Sequence, residues 1–233
     1  MESMAVFDAT ADGFHSFTNL MWPQGHPYFC ETMQCYVEKL MELDQIIHRM
    51  IMKKFGVEKH YDNLMKHTKN DLRMSSYDCT GRNEDEKYQQ AEQEKPILFP
   101  IHTDPNLLTI ILQDQVGVEV QIKSGEWVRP SLSSFVVFPS ESYEAWTNGR
   151  LEATKHRVVN SGNGQIRYSA ILASTPVDGF DIQTPQELID EEHPALYKPF
   201  EFSKLFHFRF TEAGKNADSV VKAFCGIQES KCE

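Results

Sequence analysis

Positive charge is scarce in this chain. Its 233 residues include 23 lysines and arginines against 34 aspartates and glutamates, a formal charge of −11. A nucleic-acid-binding surface needs clustered positive charge, so this balance argues against one. Paired cysteines are also missing. The five cysteines are an odd number, and no two form a CxxC pair. No disulfide framework is expected; Cys30 and Cys35, in a helical stretch, read as packing residues, and free thiols point to a reducing compartment. No apolar run is long enough to cross a membrane. The opening MESMAVFDATADG is neither apolar nor basic, unlike a secretory or transit leader. The closing ESKCE matches no lipidation signal. No internal repeat is visible. The expectation is a soluble, cytoplasmic monomer without nucleic-acid or membrane partners. Hydrophobic residues make up 40% of the chain, enough for a sizeable core.

The pattern along the chain changes twice. Residues 1–26, with Pro23 and Gly25, read as irregular. From Pro27 the apolar residues Tyr36, Leu40, Leu43, Ile47, Met50 and Ile51 recur at helical steps, and Gly56 is a plausible cap. Residues 72–77 (LRMSSY) fit a strand, and residues 79–95 a solvated crossing. From Pro96 the runs ILFPIHTD, LLTIILQD, GVEVQIKSGEWVRP, SFVVFP, YEAWTNG, TKHRVVNSG and IRYSAILAS read as short strands separated by turns. Ser124-Gly125 marks a hairpin. Close strand spacing suggests a sandwich or barrel. After Pro176 come loop and helix, with Thr184 a candidate cap and residues 216–224 a final helix. The reading is one α+β domain in three stretches: a helical region with a first core strand (1–95), a β core (96–176) and a helical tail (177–233).

One short motif carries chemistry. In PIHTDPNLL, His102 and Asp104 stand two apart, so an extended backbone turns both to one side. Alone, such a pair arises often by chance. TKHRVVN then places His156 in a later strand, where a folded-back sheet can bring it beside the pair. Two imidazoles and one carboxylate form the facial set favoured by non-haem iron(II) oxygenases. A three-ligand zinc hydrolase site is a more distant alternative. In GQIRYSAIL, Arg167 and Ser169 also share a strand face. The residues around them are apolar, so Arg167 would point inward and need an anionic partner such as a dicarboxylate.

HTD, HRV and RYS, in this order, resemble the plant 2-oxoglutarate- and iron(II)-dependent dioxygenases. FTNLMWPQGHPYFCETM, WTNGRLEATKHRV, QELIDEEHPALYKPF and FTEAGKNADSVVKAFCGI extend the likeness to the AOP-type branch, with dioxygenases for auxin oxidation as near relatives. The resemblance runs from about Phe17 to Ile227. It implies a double-stranded β-helix, a cupin-like jelly roll. It implies His102, Asp104 and His156 as iron(II) ligands. Arg167 and Ser169 would hold the far carboxylate of 2-oxoglutarate, with Tyr77 also reaching the co-substrate. O2 would be the second co-substrate and ascorbate a supporting reductant. The activity implied is hydroxylation, desaturation or side-chain oxidation of a small plant metabolite, with 2-oxoglutarate converted to succinate and CO2. Phe99, Phe138 and Trp146 flank the triad in sequence and are candidate pocket residues, although aromatics in strands more often serve the core.

The chain departs from the family pattern in three places. Relatives usually carry a longer segment ahead of the WPQG region. FVVFPSESYEAW replaces a Gly-Asp turn, which would distort the strand before His156. Ser75 stands where relatives often have asparagine. The alternative reading is accordingly a truncated, catalytically silent homologue that at most binds metal and ligand. His26, His60, His67, His193 and His207 read as surface or capping residues. The acidic runs 83–86 and 190–192 read as solvated faces.

Overall fold

The N-terminal stretch, expected to be irregular, forms a strand, β1 (Glu2–Val6), and a helix, α1 (Ala11–Met21). Thr10 caps the helix by accepting from the Gly13 amide, with Asp12 in the first turn. The computed structural model describes residues 1–79, 96–160, 162 and 164–227. The expected solvated crossing and the 83–86 acidic run fall almost wholly outside them. Helix α2 (Pro27–Phe55) starts with Pro27 behind a His26 cap and ends at Gly56 in the left-handed conformation, φ 68°. Its buried stripe is Val37, Leu40, Asp44, His48 and Met52, whereas the expected core residue Met50 is 65% exposed. Asp44 and His48 can be buried because the Ser174 hydroxyl donates to Asp44 (2.5 Å) and Tyr143 O–H pairs with His48 Nδ1 (3.1 Å).

A short helix, α3 (Tyr61–Lys66), leads into β2 (Thr68–Asp78), longer than the six residues read from sequence. The strands β3 (Ile97–His102), β4 (Leu108–Gln113), β5 (Val118–Gln121), β6 (Trp127–Val128) and β7 (Val136–Pro139) follow. The β5–β6 hairpin turns at the expected glycine, Gly125, with φ 86°. YEAWTNG, expected as a strand, is instead a helix, α4 (Glu141–Trp146). Pro139 does not distort the sheet. It ends β7 opposite Leu108, and its carbonyl accepts from the Thr154 amide (3.1 Å). Then come β8 (His156–Val159) and β9 (Ile166–Pro176).

The tail holds β10 (Asp181–Ile182), β11 (Phe200–Glu201) and helices α5 (Phe202–Phe208), α6 (Glu212–Lys215) and α7 (Val220–Cys225). The final helix is thus shorter than the 216–224 stretch, starting behind a Ser219 cap. Thr184 caps no helix; its hydroxyl donates to the Ala145 carbonyl (2.8 Å) and ties the tail to α4.

Two antiparallel sheets face each other, one of order β1-β2-β9-β4-β7 and one of order β3-β8-β5-β6. Tyr77, Ile111, Val118, Val136, Phe138 and Val158 pack between them. The outer face of the five-stranded sheet packs Leu72, Ile110 and Leu172 against Phe14, Cys30, Val37 and Leu40 from α1 and α2. A third cluster joins the end of α2 to α3, α4 and the tail. Strand β9 inverts the usual pattern: Arg167 and Ser169 are buried while Ile166 and Tyr168 are exposed. A charged residue turned inward between exposed apolar ones needs a partner inside.

Candidate active site

His102 and His156 are direct partners across the β3–β8 pair, with ring centroids 4.0 Å apart. This pairing closes the 52-residue gap between the motif and its third member. Asp104 lies just past β3, and its Oδ1 is 3.6 Å from His102 Nε2 and 3.8 Å from His156 Nε2. One ligand-capable atom from each residue lies within 4.8 Å of the others. Such a cluster could hold a single ion.

The surrounding atoms point these donors inward. His102 Nδ1 is 2.8 Å from the Pro100 carbonyl and His156 Nδ1 3.1 Å from the Thr154 carbonyl. A carbonyl only accepts, so both Nδ1 atoms carry the proton and both Nε2 lone pairs are free. The Thr109 hydroxyl donates to Asp104 Oδ2 (2.7 Å), leaving Oδ1 toward the histidines. Burial, and then the adjacent His156, push the His102 pKa down to about 4 while Asp104 opposes them. The imidazole is thereby kept in the neutral form that binds metals.

The loop carrying Asp104 is held from beneath by α4. The Glu141 amide donates to the Asp104 carbonyl (2.9 Å), and the Ser142 amide and hydroxyl donate to the Pro105 carbonyl. Glu141 is itself buried and receives the Thr103 hydroxyl and Arg209 Nη2. Burial raises its carboxyl to about 7, against the pull of Arg209 and Thr103. Nothing in the sequence singles out Glu141 or Arg209: YEAWTNG has the composition of a strand, and the tail shows only loop and helix.

Arg167 is fully buried in the facing sheet. Its Nε donates to the Gln115 carbonyl (3.2 Å) and its Nη2 to Gln113 Oε1 (3.0 Å), and the Tyr77 ring lies 4.9 Å from the guanidinium carbon. Burial lowers the Arg167 pKa and raises that of Tyr77, where Arg167 pulls the other way. Gln113 Oε1 also accepts from the Gly117 and Val118 amides. Three donors on one atom identify it as the amide oxygen. Arg167 Nη1, Ser169 Oγ and Gln113 Nε2 are buried with no hydrogen-bond partner among the described residues. Ser169 and Gln113 are register partners on adjacent strands, and Arg167 lies opposite Tyr77. The free Nη1 of this buried guanidinium, with the two orphaned donors of Ser169 and Gln113, fits a carboxylate ligand. Gly117 makes room, since a Cβ there would lie 2.6 Å from Arg167 Nε. Gln113 and Gly117 were not singled out in the sequence; Gln113 at the end of an apolar strand was the available signal.

The aromatic candidates divide. Phe99 meets the His102 ring edge-on at 4.6 Å, and Phe138 lies 4.5 Å from the His156 ring. Trp146 corrects the expectation: it packs with Met52, Leu64 and Leu107 and meets His60, because helical winding of α4 turns it into the third cluster. Of the other histidines, His26 caps α2, His60 and His193 pair with Glu187 and Asp190, and His67 stacks on Phe180.

Residues 70–176 match the family described as the 2OG-Fe(II) oxygenase superfamily. The probable 2-oxoglutarate-dependent dioxygenase AOP1.2 of Arabidopsis thaliana is 38% identical over 231 residues, covering 97% of this chain and 70% of its own length. The 2-oxoglutarate-dependent dioxygenase AOP3 of the same plant is 28% identical over 320 residues, covering 99% of this chain and 78% of its own. Among solved structures, the rice dioxygenase for auxin oxidation superposes with a TM-score of 0.78 at 25% identity, covering 96% of this chain and 72% of that one. The jelly-roll sheets, the His-Asp-His cluster and these likenesses agree: the chain belongs to the 2OG-Fe(II) oxygenase superfamily, in its plant AOP-type branch.

Proposed function

We propose that the chain oxidises a small plant metabolite, by hydroxylation, desaturation or side-chain oxidation, coupled to conversion of 2-oxoglutarate to succinate and CO2. His102, Asp104 and His156 hold iron(II). Arg167 and Ser169, supported by Gln113 and flanked by Tyr77, hold the far carboxylate of 2-oxoglutarate. Phe99 and Phe138, packed against the His102 and His156 rings, would exclude water from the metal. When held there, iron(II) would supply the O2-activating chemistry, with 2-oxoglutarate as electron donor; the protein's share is binding, orientation and exclusion.

One observation carries the reading. A cluster of three oriented donors faces an interior that also contains a buried arginine with one free nitrogen and two further orphaned donors. A zinc hydrolase would use the cluster but leave the second group without a role. Purified protein supplied with iron(II), ascorbate and 2-oxoglutarate is expected to release succinate, and His156→Ala to abolish this. Absence of both metal and 2-oxoglutarate binding in anaerobic titration overturns the proposal. Binding of both without turnover on any tested metabolite supports the silent-homologue reading instead. A mass-spectrometric metabolite screen with succinate as readout identifies the substrate.

A further inference from the structure

We propose that Glu141 is a positioning residue for the metal centre, acting on Asp104 through Thr103, and that Arg209 makes the C-terminal tail part of the same device. The inference rests on the metal role proposed for His102 and Asp104. Thr103 sits between those two residues, and its hydroxyl hydrogen-bonds Glu141 rather than either of them. The residue is gripped twice. Its hydroxyl donates to Glu141 Oε1, and its carbonyl accepts from Arg209 Nη2 at 2.7 Å. The same Arg209 nitrogen is 2.9 Å from Glu141 Oε1, which closes a three-residue ring. The Glu141 amide holds the next carbonyl, that of Asp104, at 2.9 Å. Glu141 thus holds the Asp104 peptide by main chain and the Thr103 hydroxyl by side chain, while Arg209 holds the Thr103 peptide.

The grip matters because of where Asp104 stands. His102 is fixed by the sheet, but Asp104 lies beyond the end of β3, where no ladder hydrogen bond sets its backbone. Thr109 orients only its carboxylate. The peptide that carries it is set by Glu141. Glu141 is 1% exposed, and its Oε2, like Arg209 Nε, has no partner among the described residues. A buried carboxylate with one unsatisfied oxygen costs stability, and a positioning role gives a reason for its presence. Arg209 caps the end of α5, so the ring also joins the tail to the metal loop.

The test is anaerobic titration with cobalt(II), read by its visible absorption bands. Wild type is compared with Thr103→Val, Glu141→Gln, Arg209→Met and the Thr103→Val/Glu141→Gln pair, with His156→Ala as control. Each single variant is expected to weaken cobalt(II) about tenfold or more and to change the band shape. The pair is expected to lose less than the product of the two single losses, because both break one contact. Metal-free melting midpoints report any general loss of structure. If Glu141→Gln does not fold, Thr103→Val, which exchanges the hydroxyl for a methyl of similar size, decides. Unchanged affinity and bands in Thr103→Val and Arg209→Met overturn the proposal, whatever happens to stability. A wild type that binds cobalt(II) no better than His156→Ala instead overturns the metal reading on which it rests.

Discussion

Two main-chain oxygens, from Pro100 and Thr154, decide which nitrogen of each histidine faces the cluster. The charge of His102 has a pH consequence. Its folded pKa, about 4, lies below the ordinary 6.5. Between these values the unfolded chain binds the proton and the folded chain does not. Stability of the metal-free protein is therefore expected to fall as pH drops from about 6.5 to about 4, by up to about 3 kcal/mol, and to level off below. Denaturant midpoints at pH 7 and pH 5 check this; His102→Gln should flatten the difference. At the other end of the site, Arg167→Met removes the charge that the orphaned donors surround. A loss of about 10–100-fold in 2-oxoglutarate affinity is expected, with cobalt(II) binding kept. Gly117→Ala should act in the same direction, because its methyl would displace the guanidinium. Isothermal titration measures both. His102, Asp104, His156, Arg167 and Ser169 were legible because spacing and strand pattern carry them. Gln113, Gly117, Glu141 and Arg209 were not, since their roles come from register and from a tail contact that sequence order does not encode.

Helix α2 shows why elements are read better than their faces. Its start, end and caps follow from Pro27, His26 and Gly56. Its buried stripe did not, because apolar periodicity passed over Asp44 and His48. Burial there rests on Ser174 in β9 and Tyr143 in α4, 95 to 130 residues away. Asp44→Ala should leave the Ser174 hydroxyl without its acceptor, remove the carboxylate 3.5 Å from His48 Nε2, and cost about 1–3 kcal/mol in urea unfolding. The same substitution should leave metal affinity unchanged. Helix α4 was missed for a related reason. SESYEAW carries aromatic residues that suit strands, and the helix is fixed by amides that meet the 104–106 carbonyls. Local propensity yields here to a distant loop.

Across the whole molecule, the jelly roll was legible from the rhythm of short strands and from the family likeness. The pairing of β1 with β2 was not, because MESMAV offers too short a run to read. Ligands that bind only the folded chain raise its stability. Cobalt(II) at a hundredfold excess over its Kd is expected to raise the unfolding free energy by about 2.7 kcal/mol, and a non-reactive 2-oxoglutarate analogue added at the same excess to raise it further. A melting curve with either ligand alone should show a smaller shift.

The two halves of the proposed site belong to different sheets. His102 and His156 sit in the four-stranded sheet, whereas Tyr77, Gln113, Arg167 and Ser169 sit in the five-stranded one. A ligand spanning both is measured by the gap between them, as an object is measured by a caliper. The jaws are set by Ile111, Val118, Val136 and Val158, none of which needs to touch the ligand. Ile111→Val, a change of one methylene costing about 0.5–1.5 kcal/mol, should therefore alter how well co-substrates of different chain length fit. Comparing analogues one carbon shorter and longer would read the calibration of that gap directly.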